Sequence, residues 1–201
     1  MPRIITDFEQ QTDEWYFAKL GKFSGSGFHL FLGNSQTKED ALWEKVAERK
    51  WLDTDVEHFI NQYTERGKIL EHEARRLYSA VYDTDVQTCG LVEEDGEFDT
   101  WAVCSPDGLV GEDGIIEIKC LIAKNFLQVT DKSSKKYEYI KPEYRTQVQY
   151  NLLVTDRKWC DFIYYHPRGG MHVIRIEPDP EYQEKIKTAL RECIKFIEER
   201  L

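Results

Sequence analysis

Cys104-Ser105-Pro106-Asp107-Gly108-Leu109, followed after a short turn by Gly114-Ile115-Ile116-Glu117-Ile118-Lys119-Cys120, is the stretch whose reading decides the fold. Residues 103–110 and 115–118 are apolar and rich in β formers. Gly111-Glu112-Asp113-Gly114 between them is turn chemistry that tolerates positive φ, so the pattern predicts a β-hairpin. Side chains alternate along a strand, which puts Glu117 and Lys119 on one face and Ile118 on the other. Asp107 adds a second carboxylate to the same neighbourhood. Burying these charges without partners costs several kcal/mol, and two acids repel unless a cation joins them. A hard divalent metal with oxygen ligands resolves the conflict.

Outward from the hairpin, helical and strand-like spacings alternate. Thr12-Asp13-Glu14 and Gly21 bracket a short helix over 14–20, with Trp15 and Leu20 turned inward. Ser24-Gly25-Ser26-Gly27 precedes an apolar helix at 28–32, and a Ser/Gly-rich helix start offers free N–H groups to an anion such as phosphate. Helical spacing covers 39–52 and 56–82, the latter interrupted at Gly67, and strand-like runs cover 86–92 and 98–103. Beyond the hairpin come a helix at 122–129, a polar loop at 131–136, a long helix at 142–153 and strands at 159–165 and 171–176. A terminal helix carries Tyr182, Ile186, Leu190, Cys193 and Ile197 as an inward stripe. This order predicts an α/β (α+β) domain, a central mixed β-sheet flanked by helices.

With 201 residues and no repeat, low-complexity tract or linker, the chain reads as a single domain, 1–201. Hydrophobic residues make up 41% and mean hydropathy is −0.60, as for a soluble protein. The first residues lack an apolar leader core and no stretch approaches the ~18 apolar residues of a membrane span, so a cytoplasmic location without membrane contact is expected. Five scattered cysteines without a C-x-x-C pair point to reduced, buried thiols and away from zinc or iron–sulfur sites. A net charge of −10 excludes a surface that attracts nucleic acid everywhere. A local basic groove remains open to Arg66, Lys68, Arg75 and Arg76 around one helix, or to Lys124, Lys132, Lys135, Lys136 and Lys141 after the hairpin.

Metal-assisted phosphodiester hydrolysis needs carboxylates near the scissile phosphate and a group that orients the attacking water. Asp107 and Glu117 suit the first task and Lys119 the second. Glu71, in the partly apolar run 67–74, is a candidate third acid, or else an exposed helix acid paired with Arg75 at i+4. Gln147 and Tyr150 share a helix face beside Gln149. They suit phosphate oxygens or the orientation of Lys119, or equally a hydrogen-bonded core pair.

Asp107, nine intervening residues and Glu117-Ile118-Lys119 are similar to the PD-(D/E)xK nuclease signature. The wider pattern comprises Trp15 with Leu20-Gly21 and the following Ser-Gly-Ser, then Gly67-Lys68, Glu71 and Ala74-Arg75. It continues through Cys-Ser-Pro-Asp-Gly-Leu and Glu-Ile-Lys-Cys to Gln147-Val148-Gln149-Tyr150 and Val154-Thr155. In this order the chain resembles the YqaJ-type viral recombinase family, which includes lambda exonuclease, over roughly residues 8–178.

The resemblance implies a restriction-endonuclease-like core. It also implies 5′-to-3′ digestion of one strand of linear double-stranded DNA with free ends, by two Mg²⁺ ions per active site, with Mn²⁺ as the alternative ion. The 3′ overhangs would serve recombination by strand annealing. A homotrimeric ring threaded by DNA, a single-strand annealing protein as partner and a phage or prophage origin in a bacterial host are further implications. Matched position by position, Asp107, Glu117 and the Ile118 carbonyl would bind metal, Glu71 would assist at the second ion and Lys119 would position the water. Lys19, Ser26 and Gln147, with Ser24 nearby, match the family's 5′-phosphate pocket, and Tyr150 is taken as a further DNA-binding candidate. Lys19 stands where a close relative carries arginine, exchanging a bidentate fork for a point charge. Asp95, Glu97 and Asp99 compete for the place of a further family acid. Tyr63 and Thr64 occupy the region of the strand-splitting wedge, where an aromatic can stack on a base. Competing readings are a structure-specific or restriction-type endonuclease with the same hairpin, a Cas4-like nuclease, disfavoured by the missing thiolates, and a silent DNA-binding subunit, disfavoured by the intact charges.

Overall fold

A computed structural model describes residues 1–33, 36–51 and 62–201, the side chains of 62–65 excepted; the two wedge candidates therefore lie outside the described side chains. β1 (Arg3–Ile5) and α1 (Asp13–Lys19) open the chain, followed by β2 (Phe23–Ser24), a 3₁₀ turn (Phe28–Phe31), α2 (Gln36–Trp51) and α3 (Gln62–Tyr82). Six short or medium strands and two helices come next: β3 (Val86–Gln87), β4 (Leu91–Glu93), β5 (Ala102–Cys104), β6 (Gly108–Val110), β7 (Gly114–Cys120), α4 (Ala123–Thr130) and, after α5 (Pro142–Thr155), β8 (Trp159–His166). β9 (Gly170–Ile176) and α6 (Pro180–Glu198) complete the order.

The single central sheet expected from sequence is two mixed sheets, ordered β1-β4-β5-β2 and β3-β6-β7-β8-β9. Two runs read as one strand each are cut between them. Residues 86–92 supply β3 to one sheet and β4 to the other. Residues 103–110 break at Ser105-Pro106-Asp107, where proline cannot donate to a ladder, so β5 and β6 part company. The hairpin itself forms as expected, with Gly108 opposite Ile116 and Val110 opposite Gly114, and Gly111 at φ +52° in the turn. β8 adds in parallel to β7, Glu117 opposite Phe162 and Lys119 opposite Tyr164. α3 runs unbroken through Gly67.

β7 carries the two-sided logic of the whole molecule. Ile116 and Ile118 face a core built with Leu70, Ala74 and Tyr78 of α3 and Ile163 of β8. The larger core, on the other side, joins α5 and α6 to the sheets through Phe23, Phe28, Tyr150, Phe162, Ile186 and Leu190. The α6 stripe is buried at Ile186, Leu190, Cys193 and Ile197, with Tyr182 half-buried. One buried acid, Asp161 on β8, is matched in place by Arg175 through two 2.8 Å bonds and by the Tyr78 hydroxyl at 2.6 Å, so its charge is compensated within the fold.

Candidate active site

The carboxylates converge because backbone register brings them together. The Asp107 amide donates to the Ile116 carbonyl at 3.1 Å, which extends the hairpin ladder by one residue and aims the side chain along β7. There Asp107 Oδ2 accepts the Ile118 N–H at 2.6 Å. Glu117, almost wholly buried, accepts from Lys119 Nζ at 2.7 Å through Oε1 and from Asn151 Nδ2 at 3.2 Å through Oε2. Lys119 also donates to Gln147 Oε1 at 3.1 Å. Of the three uses open to Gln147 from sequence, contact with the lysine is thus the one its amide makes directly. On α3, Arg75 bridges the acids: Nη2 reaches Glu71 at 2.6 Å and Nε reaches the Asp107 carbonyl at 2.8 Å. Glu71 therefore has its i+4 partner and still faces the site.

Electrostatics at this end are strained. Burial, then the Glu117 and Glu71 carboxylates, push Asp107 well above the usual aspartate range. Burial likewise raises Glu71, with Glu117 adding to it against the pull of Arg75. Burial opposes the Lys119 ammonium, but Glu117 and Asp107 outweigh it and hold the lysine charged. All the acids are hard oxygen donors, with neither histidine nor cysteine among them, and this is the donor set of Mg²⁺ or Mn²⁺. Among the described residues no three such side chains form a ready-made metal cage. Lys119 and Arg75 occupy the carboxylate oxygens that an ion would take.

Both ends belong to one cavity of about 350 Å³, whose wall includes Lys19, Ser24, Gly25, Ser26, Glu71, Asp107, Glu117, Ile118, Lys119, Gln147 and Asn151. Lys19 reaches it from the last turn of α1, which Thr12 caps through the Trp15 amide. Gly21 terminates that helix at φ +68°, its amide held by Glu48 of α2 at 2.7 Å and its carbonyl by Arg49 at 2.8 Å. The Lys19 ammonium lies 3.7 Å from the Trp15 ring centroid and has no salt-bridge partner among the described residues. Burial, with the Lys45 charge next, lowers its pKa to about 8. The helix after Ser26 is only a four-residue 3₁₀ turn, and the Ser24 and Gly25 carbonyls close it. The Gly27 and Phe28 amides are thereby occupied, so the Ser/Gly-rich helix start expected to offer free N–H groups does not offer these two.

Tyr150 corrects the sequence reading. It is fully buried, its hydroxyl donates to the Phe23 carbonyl at 2.9 Å and its ring packs on Phe28, so it belongs to the core and does not reach the cavity. Asp95, Glu97 and Asp99 do not line the cavity either: Asp95 pairs with the N-terminus and Glu97 with Arg191 at 2.5 Å. Asn151, Gln10, Gln11, Trp15, Tyr16 and Ser105 were not expected in the wall as site residues. Asn151 was findable, lying one helical turn beyond Gln147. Gly25 leaves it room, since a Cβ there would sit 2.2 Å from Asn151 Oδ1.

The YqaJ-like viral recombinase domain matches residues 14–158. The chain belongs to this family. An alkaline exonuclease from Laribacter hongkongensis is 30% identical, with TM-score 0.80 and 93% of each chain covered. The same enzyme solved in complex with dAMP is 29% identical at TM-score 0.81, again with 93% of each chain covered. A phage-related exonuclease from Haemophilus somnus 129PT, 17% identical with TM-score 0.65 over 89% of this chain and 94% of that one, shares the fold. No curated protein matches. Family and neighbours together make the chain a DNA exonuclease with a restriction-endonuclease-like fold. No helix among the described residues is long and apolar enough to cross a membrane.

Proposed function

We infer that this exonuclease removes 5′-mononucleotides from the 5′ end of one strand of linear duplex DNA, prefers 5′-phosphorylated ends and depends on Mg²⁺. The observation that carries the reading is the sharing of one cavity by Lys19, Ser24 and Ser26 with Asp107, Glu117, Glu71, Lys119 and Gln147. A terminal phosphate on Lys19 sets the first phosphodiester against the acids, converting diffusion to the bond into positioning. Asp107, Glu117, the Ile118 carbonyl and Glu71 would hold the two ions, which supply Lewis-acid charge to the phosphate and a more acidic water. Lys119, kept charged by Glu117 and steadied by Gln147, orients the attacking water and offsets the charge that grows on the phosphate. Cleavage leaves a new 5′-phosphate on the next nucleotide, so the cation at Lys19 favours forward movement. Binding of dAMP, a 5′-mononucleotide, by the Laribacter enzyme supports a product of this class. The resemblance to the family supports a homotrimeric ring, an annealing-protein partner and action in the cytoplasm of a phage-bearing bacterium.

Duplexes labelled at either end, a closed circle, Mg²⁺ and EDTA test the reading together. Release of the 5′ label as mononucleotide, an intact circle and silence in EDTA are expected. Cutting of the circle would establish the restriction-type endonuclease reading instead, and release of the 3′ label first would reverse the polarity.

A further inference from the structure

Ser105-Pro106-Asp107 crosses from one sheet to the other, and each of its residues is tethered by a side chain from elsewhere. Trp15 Nε1–H donates to Ser105 Oγ at 2.8 Å, and that hydroxyl donates onward to the Gly90 carbonyl at 3.0 Å. Gln10 Nε2 spans the Pro106 and Cys89 carbonyls at 3.0 and 2.9 Å. Arg75 Nε takes the Asp107 carbonyl. Two of the three tethers thus come from residues 10–19, the segment that ends in Lys19. Trp15 does double duty: its face carries the Lys19 ammonium and its edge holds the loop two residues before Asp107.

We propose that Trp15 is a positioning residue that couples phosphate recognition at Lys19 to the placement of Asp107. The inference rests on the phosphate-pocket reading above. A phosphate on Lys19 changes the charge held against the indole face, and the Nε1–H···Oγ bond passes the adjustment to Ser105. Contiguous hydrogen-bonded and packed groups are the physical route for such coupling. A 5′-phosphate then improves kcat as well as affinity, because its arrival sets an acid of the cutting centre and does more than anchor the strand.

Trp15→Phe keeps an aromatic face for Lys19 and removes the edge donor; Ser105→Ala removes the acceptor with a smaller change. Steady-state kinetics on 5′-phosphorylated and 5′-hydroxyl duplexes should show each variant losing about ten-fold or more of the kcat advantage of the phosphate while keeping its KM advantage. The double variant should be no worse than either single one. In EDTA, the Trp15 indole N–H resonance of ¹⁵N-tryptophan-labelled protein should move on adding 5′-phosphorylated duplex and stay with 5′-hydroxyl duplex. It should respond to Ser105→Ala even without DNA. Equal losses on both ends, or an indole resonance indifferent to the phosphate, overturn the coupling while leaving the pocket standing. A wild-type enzyme that ignores the 5′-phosphate removes the pocket and the coupling together. Should Trp15→Phe fail to fold, Ser105→Ala decides alone.

Discussion

Glu117 and Lys119 lie on β7 and Asp107 in the crossing just before β6, fixed by the β6–β7 ladder and its extension, whereas Lys19, Ser24, Ser26 and Gln147 reach the same cavity from three segments distant in the chain. At the first, burial and neighbouring carboxylates raise the pKa values of Asp107 and of Glu71 beside it; the second sets a cation with no carboxylate partner among the described residues against an indole. On the proposed reading the first end would take the metal ions and the second the terminal phosphate. The contrast separates chemistry, built into the sheet, from end recognition, assembled by caps and side-chain clamps.

The contrast breaks first at Lys119. Lys119→Ala should cut single-turnover cleavage by about 10²–10⁴-fold, the usual range for such a group. Duplex binding in a gel-shift assay should stay within a few-fold, because recognition lies at the other end; loss of both would merge the two ends. Gly25→Ala joins them by steric force, since its methyl must displace Asn151 from Glu117. Loss of a hydrogen bond to a charged group predicts a fall of roughly ten-fold or more in cleavage rate, and Asn151→Ala should match it.

Acidity sharpens the separation. Below pH about 8 the Lys19 ammonium is charged and the 5′-phosphate preference should be full; as pH rises through that value the preference should shrink several-fold. Lys19→Arg, charged throughout, should flatten this slope in rate ratios measured across pH 7–9.5. For the acids the pKa shift runs the other way, upward. Asp107 has a folded pKa above its unfolded one, so folding favours the protonated form and stability falls as pH climbs through the folded value. Asp107→Asn keeps an acceptor for the Ile118 amide and removes the charge. In EDTA its Tm should therefore exceed wild type by about 2–4 °C, as for a change of about 1 kcal/mol in a chain of this size. Mg²⁺ should raise the wild-type Tm and do little for the variant.

The acid–lysine cluster was legible in sequence for the reason it is fixed in the fold: period-two alternation and a turn placed Glu117 and Lys119 on one face, and one ladder bond placed Asp107 beside them. Helix ends with chemical caps, Thr12 and Gly21, were equally readable. Local pattern could not say that Pro106 sends β5 and β6 to different sheets, because sheet membership is a tertiary choice. Tyr150 shows the same limit, its amphipathic ring suiting a core or a cleft until Phe23 supplied a carbonyl. The tethers from Gln10 and Trp15 join residues about ninety positions apart and leave no local signature.

A crystal of the protein with Mn²⁺ and a 5′-phosphorylated duplex, read by manganese anomalous scattering, bears most directly on the division of labour. The account predicts manganese against Asp107 and Glu117, with the terminal phosphate in hydrogen-bond reach of Lys19 Nζ and a serine hydroxyl of Ser24 or Ser26. Manganese away from those acids, or a terminal phosphate held apart from Lys19, would contradict it.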